Sequence, residues 1–195
     1  GFNKVIEQCK ENIAKTVVTT KDVADKVFFW QGCIYACEGA IAWATNYANE
    51  ARRLAETAAE PRKTELLEMA ERLERVPAEP ARNFMEALQA LWTAHILVMS
   101  DSLALGVSPG RWGKLLQPYY EKDLAEGKIT KEQALEAMEL IRIKCSTEEY
   151  ITPSLWAAMA SSNSFMNMAV GGLDPVTGQC TDNEVEELIL QAGIN

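Results

Sequence analysis

Between Thr20 and Pro61 the chain carries no proline, and only Gly32 and Gly39 interrupt it. A breaker-free stretch of that length predicts a single helix of roughly 60 Å at 1.5 Å per residue, longer than a small domain is wide. Thr20 with Asp22 marks its start. Its middle, Phe28, Phe29, Trp30, Cys33, Ile34, Ala36, Cys37, Ala40, Ile41 and Ala44, is apolar on more than one side, so other helices should cover most of its girth. From Asn49 to Glu60 it turns polar and should reach solvent.

Helical periodicity continues on both sides, punctuated by proline and glycine. Residues from Phe2 to Val18 form a first amphipathic stretch. Pro61 suits the first turn of a third helix, where its missing N–H costs nothing, with Leu66, Leu67, Met69, Ala70 and Leu73 as its buried stripe. Val76 to Pro80 reads as a rigid turn, and a fourth helix starts near Pro80 with Phe84, Leu88, Leu91, Trp92, Ile96 and Met99 on one face. Thr130 with Gln133 fits a capping box that opens another helix through Ala134, Met138 and Ile141. Thr181 with Glu184 repeats the pattern before Val185, Leu188 and Ile189.

The interval from Phe165 to Leu173 has a different rhythm. Met166, Met168 and Val170 alternate with Asn167 and Ala169, then Gly171-Gly172 and Asp174 to Gly178 turn the chain, which predicts a short strand leaving a core. One strand needs neighbours for its backbone groups, and the only other candidates are a few residues near Val107 or Ile151. The remaining strands are therefore expected outside this chain, which reads as a fragment. Its stop at Gly193-Ile194-Asn195, just after a helix and without a polar tail, points the same way.

Composition closes off several classes of function. At 195 residues, 48% apolar and 24% charged, the chain has what a globular fold needs to bury a core. A net charge of -9 argues against a nucleic-acid or anionic-membrane surface, which needs clustered Lys and Arg. Lys, Glu or Arg interrupts every candidate membrane span, so the expected compartment is the cytoplasm. Five cysteines without regular spacing read as reduced thiols.

The chemically tempting side chains divide into packing groups and surface groups. Cys33 and Cys37 stand one helical turn apart, as two metal ligands would, but no His, Asp or second Cys pair completes a site, and no metal is expected. His95 is the only histidine and lies on an apolar face, as a core imidazole does. Glu148-Glu149 are adjacent on a helix and do not face each other, so they read as a solvated end. Arg111 follows Gly110 in a tight turn, where its planar fork suits backbone carbonyls or a carboxylate.

Several segments are similar, in order, to the helical part of the pyruvate-formate-lyase-like glycyl radical enzymes. They are Pro61 to Leu67, Val76-Pro77, Pro80 to Trp92, Ser108-Pro109-Gly110-Arg111, Pro118-Tyr119-Tyr120, Asp123, Gly127-Lys128-Ile129-Thr130 and Asn167 to Gly172. The resemblance implies a mainly α fragment of an α/β ten-stranded barrel, with long helices and one or two short strands. Its parts would be a helical layer over 1–102, a turn and helices over 103–150, and a barrel strand with its following helix over 151–195, all within one catalytic domain.

What the family further implies is a glycine radical on one loop and a reactive cysteine on another, the radical being installed by an activating enzyme that uses S-adenosylmethionine and an iron–sulfur cluster. The thiyl radical takes hydrogen from a substrate in a closed, dry barrel. Neither loop's motif is present, so no catalytic residue is assigned and the fragment alone is expected to be inactive. The implied partners are a small substrate, that activating enzyme, and further copies or subunits in an oligomer.

Departures from the family pattern bear on the substrate. Relatives resembling diol dehydratases carry Gly-His-Ser just before the Ser-x-Gly-Arg turn, where this chain has Ala104-Leu105-Gly106. Leu105 offers no hydrogen bond to a hydroxyl, which disfavours a diol. The usual Gly-Arg-x-Asp-Gln also becomes Gly110-Arg111-Trp112-Gly113-Lys114. Leu103, Leu105, Gly106, Trp112 and Asn167 are the expected pocket residues, and an apolar lining suggests a hydrocarbon added to fumarate, as in benzylsuccinate and alkylsuccinate synthases. An arylacetate decarboxylase is the alternative, and a non-catalytic helical scaffold the reading from another class.

Overall fold

In a computed structural model, residues 1–102, 107–147 and 167–194 are described. Leu103, Leu105, Gly106, Glu148, Glu149, Ile151, Phe165 and Met166 therefore lie outside the described residues. The fold is mainly α: α1 (Phe2–Lys15), α2 (Lys21–Ala55), α3 (Arg62–Arg75), α4 (Phe84–Ser102), α5 (Trp112–Ala125), α6 (Lys131–Thr147) and α7 (Glu184–Gln191). The chain divides into two compact units, Gly1–Arg82 with Gln89–Ala94, and Asn83–Leu88 with His95–Asn195.

In the first unit α2 is the spine, as its lack of breakers predicts. Thr20 caps it, its hydroxyl oxygen accepting from the Val23 N–H at 3.4 Å. Ala44, Ala48, Ala51 and Ala55 recur at three and four residues along α2 and pack on Leu66, Ala70 and Leu73 of α3. Small side chains on one helix leave room for the leucines of the other. At the far end Ile6 and Cys9 of α1 pack on Ile34. Phe2 and Asn3 donate their N–H groups to the carbonyls of Pro77 and Ala78 at 2.9 and 3.0 Å, so the first turn of α1 finds its acceptors just past α3.

One expectation is corrected in this unit. Phe28 and Phe29 are 72% and 69% exposed, and Tyr35 is exposed too, so α2 is not covered over most of its girth by the described residues. Only one stripe of α2 meets α1 and α3, and these aromatic residues stand off it.

The second unit is built on Phe84 and Tyr120, both fully buried, whose rings meet edge to face at 5.9 Å. Helix α4 begins at Phe84 rather than near Pro80 because side-chain acceptors wait there: Asn83 Oδ1 takes the Glu86 N–H at 2.8 Å and buried Asp123 Oδ2 takes the Phe84 N–H at 2.6 Å. The Thr130–Gln133 capping box closes in both directions, at 2.9 and 3.2 Å, and α6 follows it. The cap of α7 is Asn183, not Thr181, for Asn183 Oδ1 accepts from Glu186 N at 3.0 Å while Thr181 is engaged elsewhere. Leu116, Met138, Val185 and Leu188 fill the space between α5, α6 and α7.

Candidate functional site

The alternating segment after residue 166 pairs as a strand would, but through isolated bridges. Met168 makes a parallel bridge with Gly110, the Ala169 N–H donating to the Gly110 carbonyl at 3.0 Å. Leu173 makes an antiparallel bridge with Cys180 around a tight turn. Asp174 forms that turn: its Oδ1 accepts from the N–H groups of Val176 and Thr177, both at 2.9 Å. These two amides, helped by Lys114 at 3.5 Å, hold the Asp174 carboxyl down at about 2.

Between the two bridges the chain bends at Gly171 and Gly172, whose φ values are +66° and +105°. A side chain at either position would be strained in that backbone conformation, and space is short as well. A Cβ on Gly172 would stand 2.8 Å from Arg111 Nη2, and one on Gly171 would stand 2.9 Å from Asp182 Oδ1. The Gly172 carbonyl accepts from both the N–H and the hydroxyl of Thr181, at 3.0 and 3.1 Å. The Gly171 N–H donates to Oε2 of buried Glu186 at 3.0 Å.

Beside this corner lies a cleft of about 620 Å³, in the range of small-molecule sites. Asn167, Met168 and Val170 form one wall, and Arg142, Ile189 and Leu190 stand on the helices opposite. Asn167, expected at a pocket, is on the cleft. Trp112 is not: it is 2% exposed, with its ring edge-on to His95 at 6.2 Å. Leu103, Leu105 and Gly106 belong to the undescribed residues. Arg111 is exposed, its guanidinium lying over Gly172.

Burial lowers the His95 imidazole below its ordinary range, so it is neutral at pH 7 and packs as a core ring. All five cysteines are free thiols. Cys9 is buried with Cys33 and Cys37 against it, and desolvation, reinforced by Cys33, pushes the Cys9 and Cys37 thiols up. They are protonated packing groups. Among the described residues no three His, Cys, Asp or Glu side chains are grouped as a metal ion requires.

Sequence reasoning missed Glu186 and its neighbour Gly113. The run Glu184-Val185-Glu186-Glu187 looks like a uniformly acidic first turn favoured by the helix dipole. Only the missing side chain at Gly113, against which Glu186 packs, separates one acid from the others. The signal was the departure at position 113 itself.

The whole chain, residues 1–195, matches the profile described as pyruvate formate lyase-like. It is 87% identical over 195 residues to an indoleacetate decarboxylase of Tractidigestivibacter scatoligenes, covering 100% of this chain and 22% of that protein. It is 34% identical over 198 residues to the 4-hydroxyphenylacetate decarboxylase glycyl radical subunit of Clostridioides difficile, again covering 100% of this chain and 22% of the relative. A solved structure concerned with 1,2-propanediol dehydration in Roseburia inulinivorans superposes with a TM-score of 0.91 at 30% identity, over 100% of this chain and 24% of that one. The chain thus spans about a fifth of the length of the curated relatives it matches.

These relatives overturn the expectation of hydrocarbon addition to fumarate, for the 87%-identical relative is a decarboxylase, and an isethionate sulfite-lyase matches at 34%, level with the 4-hydroxyphenylacetate decarboxylase. The physical reason for the error is that apolar residues near position 105 suit an aromatic ring and a hydrocarbon alike, and say nothing of a carboxylate. The ordered segment matches, the mainly helical fold shared with glycyl radical enzyme barrels and the full-length profile agree: the chain belongs to the pyruvate formate lyase-like family.

Proposed function

We propose that this chain is part of the catalytic subunit of a glycyl radical arylacetate decarboxylase, with indoleacetate as the substrate. The carrying observation is 87% identity along all 195 residues to an indoleacetate decarboxylase. The 4-hydroxyphenylacetate decarboxylase relative supports the same reaction type. In the net reaction the bond between the methylene carbon and the carboxylate breaks, carbon dioxide leaves, and one proton is taken up to give a methyl group on the ring.

On this reading residues 1–102, 103–150 and 151–195 are the helical layer, the turn with its helices, and the strand with its helix of one catalytic domain. Leu103, Leu105 and Gly106 are read as apolar pocket residues suited to an indole ring, with Asn167 as a further pocket residue. Trp112 contributes by packing. The radical glycine and reactive cysteine belong to other parts of the longer protein, and an S-adenosylmethionine-dependent iron–sulfur enzyme installs the radical. No step of that chemistry is assigned to the cysteines of this chain.

The test is anaerobic activation of the full-length protein, followed by separate incubation with indoleacetate, 4-hydroxyphenylacetate, isethionate, and toluene with fumarate. Carbon dioxide and 3-methylindole from indoleacetate are expected. Turnover of isethionate to sulfite, with no carbon dioxide from either arylacetate, would overturn the reading.

A further inference from the structure

We propose that Glu186, seated against the bare Cα of Gly113, is a positioning residue: through the Gly171 N–H it fixes the wall Asn167–Gly172 that faces substrate. The proposal rests on the decarboxylase reading, with that wall bordering the site.

Glu184, Glu186 and Glu187 share the first turn of α7, but only Glu186 is buried, at 3% exposure. The helix dipole is served as well by the two exposed acids, so it does not explain taking a third carboxylate out of water. Space has been kept for this one. The Cγ of Glu186 occupies the volume that a Cβ on Gly113 would need. Any side chain at 113 would therefore drive the carboxylate off its seat at the start of α5.

What the seat provides is a single bond. Oε2 accepts from the Gly171 N–H at 3.0 Å, whereas buried Oε1 has no hydrogen-bond partner among the described residues. A group retained for stability alone would use both oxygens or be replaced by an apolar one. Gly171 and Gly172 form a corner of two permissive residues, which holds one conformation only if bonds outside it impose that conformation. Ala169 bonds Gly110 before the corner and Thr181 bonds Gly172 after it. Glu186 supplies the bond between them, and its own backbone is held by Asn183. Asn167, Met168 and Val170 on the cleft are placed by this chain of bonds.

The test compares Gly113→Ala, Glu186→Ala and Glu186→Gln in the activated full-length enzyme. Glycyl radical yield, thermal midpoint, kcat and KM for indoleacetate are measured, with hydrogen exchange at the Gly171 amide. Gly113→Ala and Glu186→Ala should raise KM about tenfold with radical yield kept, as lost substrate placement does. Glu186→Gln keeps an acceptor oxygen and should stay within about twofold of wild type. An unchanged KM in the first two, or the same loss in Glu186→Gln, overturns the proposal. Should Glu186→Ala fail to fold, the other two variants still decide. Exchange at Gly171 about tenfold faster in Gly113→Ala needs no turnover to be seen. It supports the clamp even where wild type releases no carbon dioxide from indoleacetate, the result that sinks the decarboxylase reading.

Discussion

Asp174 shows what one side chain does when two amides converge on it. Its carboxylate is bound in the folded turn, so its protonation is pushed below the ordinary range to about 2. A depressed folded value means that the contribution is fully present above the ordinary carboxylate range and is lost as pH falls through about 2. Carboxyl NMR should therefore give Asp174 an apparent midpoint of about 2, and a midpoint near that of a free aspartate would contradict the hydrogen bonds described. The turn itself was legible, because Asp-Pro-x-Thr-Gly carries its own local chemistry. Glu186 was not, since what distinguishes it is a glycine in another helix.

Helix ends show the same division between local and distant causes. The Thr130–Gln133 box was readable because both partners lie within one turn, and Thr130→Ala should lower stability by about 1 kcal/mol in thermal or denaturant unfolding. A loss within error would mean that the box adds nothing beyond the packing of Ala134 and Met138. At α7 the same spacing misled. Thr181 has the right distance to Glu184, but its hydroxyl is drawn to the Gly172 carbonyl, and Asn183 takes the capping position with extended backbone. The start of α4 was likewise set from afar, by Asp123 on α5. For α2 one long helix was clear from the missing prolines, but it stops at Ala55 rather than running on to Pro61, and the exposure of Phe28 and Phe29 was not legible. Hydrophobicity shows that a surface is to be covered, not which part of a polypeptide covers it.

At the scale of the whole molecule those aromatic residues stand as exposed apolar groups on α2. The chain represents about a fifth of the length of its relatives, and Phe28, Phe29 and Tyr35 are open on it. Expressed alone, the 195 residues should bind an apolar dye and self-associate, and Phe28→Ser with Phe29→Ser should reduce both. A dye-silent monomer would show that this face needs no cover. Family membership was legible from the order of many short segments, which no single motif would have given. Substrate class was misjudged because it was drawn from a few apolar positions, and the groups that meet a carboxylate are not marked among them.

The bonds from Phe2 and Asn3 to Pro77 and Ala78 have a topological meaning as well. They bring the two extremities of a three-helix segment together, so its backbone describes a nearly closed ring. A ring has no privileged origin: joined there and opened in the α2–α3 connection, the same helices could be threaded in a different order and keep every contact among them.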